Sequence, residues 1–264
     1  MNNKREGWRL IKDVFYDGYM NMAIDEAIFI ACEKGFSPKT IRFYGWNPPA
    51  ISIGYFQKTS YLFESKRMNE LSLDMVRRPT GGRAVFHEEE VTYSIISSLD
   101  AFSRNGVLEP YRIISHALVS GLKSIGVLAE LSSKRKRGQT KGIDSPSCFS
   151  SSSLYEIVTQ GKKIIGSAQK RSRNFLLQQG SILLNLNREK WTSIFKTEDD
   201  NRMISLQEVL NRKISFREVS KALIEALNKS FGPLFQDKLT LYEKRLSERL
   251  RKEKYTTQEW NFQR

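Results

Sequence analysis

At 264 residues, 39% of them hydrophobic, the chain is long enough to bury one large core, or one domain plus a small appendage. It has no run of about eighteen apolar residues, and its MNNKREGWRL start lacks the apolar stretch of a secretory signal, so the expectation is a cytoplasmic protein with no membrane span. The formal charge of +14 asks for an acidic partner, whether nucleic acid, a lipid surface or an acidic protein. Two cysteines do not make a disulfide framework in a chain of this size, and two histidines support metal catalysis poorly, so no metal is expected.

In chain order, GWRLIKDVFYDG (7–18) alternates apolar and polar residues and ends in Asp17-Gly18, the pattern of an edge strand and turn. Asn21 to Lys34 reads as a helix with Ile24, Ala27, Ile28 and Ala31 on one face and Gly35 as its stop, with Cys32 packing at its end. TIRFYG and AISIGYF are strand candidates split by Trp46-Asn47-Pro48-Pro49, and Tyr44, Trp46, Tyr55 and Phe56 could wall either a core or an acyl pocket. A helix over 59–71 and a short strand at Leu73 to Arg77 follow.

Next comes VRRPTGGRAVFHEEEVTYSIISS (76–98). Gly81-Gly82 permits conformations closed to other residues and close approach of a ligand to the main chain, with Arg77, Arg78 and Arg83 as nearby donors; a plain hairpin is the commoner use of such a pair. AVFH and VTYSII read as strands, and His87 as a structural hydrogen-bonding residue. Pro110 to Gly126 fits an amphipathic helix. The polar stretch 132–153 reads as a long loop, the kind often used for function, and carries the run Lys134-Arg135-Lys136-Arg137, a solvated loop or a docking patch.

LYEIVTQ, the Gly161-Lys162 turn and KIIGSAQKR form a hairpin, and SILLNL after the Gly180 breaker a third strand. This puts Lys163 at the start of one strand and Cys148 on the loop leading into its neighbour. An ammonium beside a thiol lowers the thiol pKa by charge, and an amine in a partly dry pocket can shuttle protons. A buried Cys148 and a solvated Lys163 are the ordinary alternative, but Asp144, Ser145, Ser147 and Ser150 to Ser152 favour an accessible thiol. Beyond 187 the pattern is helical, with capping boxes at Ser215–Glu218 and Thr240–Glu243, the latter opening a helix to about Lys254. The expected division is a catalytic domain over 1–188 and a C-terminal helical extension over 189–264.

NMAIDEAI, YGWNPPAISIGYFQ, RRPTGGRAVFH and GKKIIGSAQKR followed by LQQGSILL, in this order, resemble the biotin/lipoate protein ligase family over about residues 7–186. Lipoate ligases share the double glycine and Lys-x-x-Gly-Ser-Ala, but carry a third glycine where this chain has Arg83 and a His-Asp-x-Gly-Asn run where it has His87 onward. The cysteine-dependent octanoyltransferases are more similar, with Gly-Gly-Arg, His-x-x-Glu-(Leu/Val)-Thr-Tyr-Ser, and a cysteine ahead of Tyr-Glu-(Ile/Leu). Glu88 and Gln179 depart from the usual aspartate and histidine of that pattern.

The resemblance implies an α/β (α+β) fold, with a central mixed sheet flanked by helices, and a tunnel for a medium-length acyl chain. It implies that Cys148 takes octanoyl from acyl carrier protein as a thioester and passes it to the lysine of a lipoyl domain, such as the glycine cleavage H protein or a 2-oxoacid dehydrogenase E2. Lys163 would assist both proton transfers, and no cofactor would be needed. Gly81 and Gly82 would line the acyl pocket with Arg78, Thr80, Arg83 and His87 shaping it; Gly166, Ser167 and Ala168 complete the substrate-binding set, with Ser167 a candidate oxyanion donor. The rival activities are an ATP-dependent lipoate ligase and an amidotransferase between lipoyl domains. A nucleic-acid binder is disfavoured, since no recognised module of that kind occurs.

Overall fold

The computed structural model describes residues 6–59, 70, 72–102, 108–132, 156–195 and 201–262. Cys148, the Lys134 to Arg137 run and nearly all of the expected helix over 59–71 lie outside these residues. The family's implied class is the one observed: a large mixed sheet with helices on both faces.

The large sheet has the order β11-β1-β2-β6-β10-β9-β8-β7. Its strands are β1 (Trp8–Tyr16), β2 (Thr40–Trp46), β6 (Glu90–Ser98), β7 (Glu130–Leu131), β8 (Ile157–Thr159), β9 (Lys162–Arg171), β10 (Phe175–Leu183) and β11 (Leu234–Gln236). β1 runs parallel to both β2 and β11; every other pairing in this sheet is antiparallel. A second sheet, β4-β3-β5, is made of β3 (Ala50–Ile53), β4 (Asp74–Arg77) and β5 (Val85–His87).

Two sequence expectations change here. β1 is not an edge strand over its first half, because Trp8, Leu10 and the residue between them pair with Leu234 to Gln236 from near the end of the chain. Local alternation describes one face of a strand and is blind to a partner more than two hundred residues away. Gly180 does not break the strand but sits inside β10, opposite Tyr93. A Cβ at that position would stand 2.3 Å from the Tyr93 ring, so the glycine is there to admit an aromatic side chain.

Helix α1 (Gly18–Glu33) begins at Asp17, whose side chain accepts from Met20 N, and covers one face of the large sheet with Ile24, Ile28 and Phe29. It is buried nearly all round because α6 (Leu241–Leu250) packs on its outer side. The opposite face is covered by α2 (Glu109–Ser124) and α5 (Phe216–Phe231), whose Ile114, Leu118, Leu122, Val219 and Leu223 join Phe43, Tyr93 and Ile95 in the main core. Helix α3 (Arg188–Phe195) closes the small sheet with Trp191, Ile194 and Phe195.

Ser215 caps α5 by accepting from Glu218 N at 3.1 Å, but the expected reciprocal bond is replaced by an ion pair between Glu218 and Arg212, 2.6 Å apart. Thr240 and Glu243 do form a full capping box, and so do Ser205 and Glu208 at α4 (Leu206–Leu210). After Leu250 the chain continues as one π-helical turn (Arg251–Tyr255) and then α7 (Gln258–Phe262).

Candidate active site

The two sheets meet at a narrow cleft of about 30 Å³. α1 contributes Met22, β2 contributes Tyr44 and Trp46, and the small sheet contributes Ser52, Val85 and His87. Thr92 of β6, Gly166 to Ala168 of β9 and Gln179 to Ser181 of β10 complete the wall with Arg78. Two alternations meet here: residues that point away from the main core on β9 and β10 face the inner side of β3 and β5.

The polar groups of this wall are bonded to one another. His87, stacked on Trp46 with ring centroids 3.8 Å apart and planes 10° apart, bonds through Nε2 to Ser52 Oγ at 2.7 Å and through Nδ1 to Glu90 Oε1 at 2.8 Å. Glu90 also accepts from the hydroxyls of Thr92 and Ser181. With Glu90 as acceptor, the imidazole carries its proton on Nδ1 and receives the Ser52 hydroxyl at Nε2. Trp46 Nε1 donates to Thr92 Oγ1 at 2.7 Å. The result is a cleft whose polar groups are bonded to one another and whose exposed surface is mainly apolar.

The Gly81-Gly82 segment lies at the edge of this cleft. It is not a hairpin: the strands on either side of it, β4 and β5, both pair with β3, so the segment crosses from one edge of the small sheet to the other. Arg78 holds it, donating to the carbonyls of Gly81 at 2.7 Å, Arg83 at 2.7 Å and Ser52 at 3.2 Å, and to Ser52 Oγ at 3.0 Å. Gly82 has φ +87°, and its carbonyl lies against Gly54, where a Cβ would stand 1.8 Å from the oxygen. Thr80 Oγ1 donates to Gln179 Oε1 at 2.8 Å, and Gln179 Nε2 donates to Asp25 Oδ2 at 2.7 Å. Thr80 therefore ties the loop to the wall through Gln179, the position at which the chain departs from the family's usual histidine.

Of the residues singled out from sequence, Arg78, His87, Gly166, Ser167 and Ala168 line the cleft; Thr80, Gly81, Gly82 and Arg83 belong to the loop beside it. Ser167 Oγ is 2.8 Å from Tyr93 OH, which also receives Gln178 Nε2 and whose pKa burial pushes up to about 12. Lys163 stands three residues before Gly166 on β9, about 10 Å along the strand. It is buried, and Nζ donates to the buried Glu156 at 2.7 Å. Its backbone is fixed on both sides, by Arg202 O at 2.7 Å and by Ile204 N at 3.0 Å. Glu156 is legible in hindsight, because a tight β8–β9 turn pairs Val158 with Lys163 and brings residues just before β8 alongside β9.

Sequence reasoning missed Asp25, and it read Arg77 as a donor beside the glycine pair where the structure gives it a different task. Asp25, fully buried, accepts from Arg42, Tyr44, Ser94 and Gln179 at 2.7–2.9 Å and so joins α1 to three strands of the large sheet. Burial and the Asp25 carboxylate together push the Tyr44 phenol well above its ordinary pKa. Arg77 donates to the carbonyls of Gly54, Tyr55, Gln57, Trp260 and Asn261 at 2.7–3.1 Å, which fastens the loop bearing Gly54 to the C-terminal helix α7. Neither role has a local signature, since each partner is distant in sequence. Among the described residues no His, Cys, Asp and Glu group could hold a metal ion.

Comparison with known proteins agrees with this architecture. Residues 17–228 match the family model for the lipoyl protein ligase A/B catalytic domain. The chain is 37% identical to a protein named octanoyltransferase LipM from Anoxybacillus flavithermus, covering 99% of this chain and all of that one. It is 38% identical to the octanoyltransferase LipM of Kyrpidia tusciae, over 97% of this chain and 99% of that one. Among solved structures, lipoate-protein ligase A bound with ATP superposes with a TM-score of 0.83 at 24% identity, covering 97% of this chain and 98% of that one, a likeness of fold. The Thermoplasma acidophilum protein Ta0514, a putative lipoate protein ligase with bound lipoic acid, gives 0.80 at 24% identity, covering 97% and 99%. The chain belongs to the lipoyl protein ligase A/B catalytic-domain family.

Proposed function

We propose that the protein is an octanoyltransferase of lipoate biosynthesis, moving an octanoyl group from a carrier thioester to the lysine of a lipoyl domain. The observation that carries this reading is end-to-end similarity, at 37–38% identity, to proteins named octanoyltransferase, in a chain whose fold encloses an apolar-walled cleft. In this reading the Cys148 thiolate attacks the octanoyl carbonyl held on acyl carrier protein. The carrier's C–S bond breaks, its thiol leaves with a proton, and octanoyl remains on Cys148 as a thioester. The acceptor lysine's neutral amine then attacks the same carbonyl, an amide forms, and the Cys148 sulfur leaves and regains its proton.

Lys163 serves the proton transfers, and its place three residues from Gly166, held by Glu156, supports that role. Exchange of one thioester for another is nearly even, and amide formation draws the sequence forward without a nucleotide. The acyl chain occupies the cleft against Trp46, Val85 and Met22. The chain's +14 charge suits acidic protein substrates, the carrier protein and a lipoyl domain such as the H protein or a dehydrogenase E2, whose encounter electrostatics would speed.

The test is intact mass after mixing the protein with octanoyl carrier protein and no ATP. Wild type is expected to gain one octanoyl group, which hydroxylamine or an apo lipoyl domain removes; Cys148→Ala is expected to gain none. An adduct retained by Cys148→Ala removes the nucleophile, and transfer that requires ATP assigns the chain to the ligases instead.

A further inference from the structure

The last turns of the chain hold the cleft in two places. After the π-helical turn, Tyr255 is fully buried in one cluster with Met22, Tyr44 and Trp46, three residues of the cleft wall. Its hydroxyl donates to Glu26 Oε2 at 2.8 Å, and Lys254 Nζ reaches the same oxygen at 2.6 Å. Lys170 of β9 donates to Glu26 Oε1 at 3.2 Å. Glu26 therefore ties the end of the chain to α1 and to the strand that carries Gly166 to Ala168.

The second hold is at the rim. β4 is an edge of the small sheet, and the main chain of its last residue, Arg77, is answered there by side chains. Asn261 Oδ1 accepts from Arg77 N at 2.8 Å, and Trp260 Nε1 donates to Arg77 O at 2.8 Å. The Arg77 guanidinium then spans from the carbonyls of Trp260 and Asn261, at 3.1 and 3.0 Å, to those of Gly54, Tyr55 and Gln57. From these carbonyls the bonding runs on into the site. Tyr55 N donates to Thr80 O at 2.9 Å, and Thr80 Oγ1 donates to Gln179, which lines the cleft. A planar fork shared among five carbonyls has few ways of satisfying them, so the place of the rim depends on the two C-terminal anchors.

We propose that Trp260 and Asn261 are positioning residues for acyl transfer: through Arg77 they fix the Gly54 and Gly81-Gly82 loops against the cleft, and with them the seating of the acyl chain. Neither touches the reacting atoms. The inference rests on the octanoyl-transfer reading, and it makes the last turns of the chain part of the transfer unit rather than an appendage to it. A clasp that only stabilised the fold would respond alike to loosening anywhere along the C-terminal segment. The bonding through Arg77 instead sends one particular loosening to the rim.

Hydrogen exchange read by mass spectrometry on the full chain, together with single-turnover octanoylation of Cys148, tests it in three variants. Trp260→Phe keeps an aromatic ring and removes the N–H given to Arg77 O; Asn261→Ala removes the acceptor for Arg77 N. Arg251→Gln loosens the same segment elsewhere, at its ion pair with Asp17. In the first two, the amides of Tyr55 and Gln57, bonded to Thr80 O and Gly54 O, are expected to exchange about tenfold faster. Their octanoylation rate at saturating octanoyl carrier protein is expected to fall about tenfold, with the half-saturating concentration changed less than about twofold. Arg251→Gln is expected to match wild type in both measurements. Asn261 Nδ2 also holds the carbonyls of Tyr255 and Thr257, so if Asn261→Ala fails to fold, Trp260→Phe decides the matter. Unchanged exchange at the rim, faster exchange without a slower rate, or an equal effect from Arg251→Gln overturns the proposal. Wild type that takes up no octanoyl ends the transfer reading instead, and the two failures are told apart because exchange is measured without an acyl donor.

Discussion

Gly54 and Gly81 make opposite predictions under the same substitution. At Gly54 an added methyl would stand 1.8 Å from the Gly82 carbonyl oxygen and 2.7 Å from its carbon, against a normal carbon–oxygen contact of about 3.2–3.5 Å. The obstructing atoms are backbone, so no side-chain rotation relieves the clash. Nor can the loop easily retreat, because Arg78 bonds to Gly81 O and Arg83 O, and Arg77 bonds to Gly54 O. Overpacking of this kind costs about 1–3 kcal/mol, and Gly54→Ala belongs at the upper end. Gly81→Ala meets nothing within 4 Å and needs no positive φ, so it should stay within about 0.5 kcal/mol of wild type.

Urea denaturation followed by far-UV circular dichroism reads the difference. With m of about 3 kcal/mol/M, Gly54→Ala should lower the midpoint by about 1 M and Gly81→Ala by less than about 0.2 M. Octanoyl transfer should fall with Gly54→Ala at urea concentrations where it is still folded, since the displaced loop borders the cleft proposed to take the acyl chain. If Gly54→Ala is as stable as wild type, or Gly81→Ala is the more damaging of the two, the close approach of these loops is not what shapes the site.

Asp25→Asn removes the carboxylate paired with the buried Arg42 guanidinium and should cost about 3–5 kcal/mol, visible as a large drop in Tm. Acid should destabilise the protein through two other carboxyls. Burial alone would raise Glu26 and Glu243, but Lys254 and Lys170 outweigh it at the first and Arg9 at the second, so both sit below their ordinary 4.5 when folded. A depressed folded value gives stability that is complete above the unfolded pKa and is lost as pH falls through the folded one. Tm should therefore hold from pH 7 to about 5 and fall below about 4.5, with a shallower fall in Glu243→Gln. Burial pushes the Cys32 thiol up to about 11, leaving about one thiolate in a thousand at pH 8. Iodoacetamide should accordingly modify Cys148 quickly and leave Cys148→Ser unlabelled until denaturant is added.

What the sequence disclosed and what it concealed divide by distance along the chain. The body of the first helix, expected over Asn21 to Lys34 and found over Gly18–Glu33, the turn at Gly161 and the Thr240–Glu243 cap are written in neighbouring residues and are legible there. The Gly161-Lys162 turn signal between two strand-like runs likewise sufficed to place Lys163 at the start of a strand. Arg77 and Asp25 had no such signature, because the carbonyls and side chains that give them meaning lie up to 184 positions away. Tyr44 and Trp46 were recognisable as bulky walls, but the cleft beside them needs β3, β5 and β10 to converge, and pairing across sheets is not encoded in any short window. Gly180 misled for a related reason: a glycine in a strand looks like punctuation until the facing tyrosine is known.

The parallel pairing of β1 with β11 has a consequence for synthesis. At about 5–20 residues per second, some 10–45 s separate the emergence of Trp8 from that of Leu234 at the ribosome. During that interval the outer edge of the first strand offers unanswered amides and carbonyls to whatever nascent chain is nearby. A chaperone that shields extended hydrophobic segments would find its natural client here, and yield of the native protein in a cell-free translation should rise most when that shielding covers the first strand until the last one arrives.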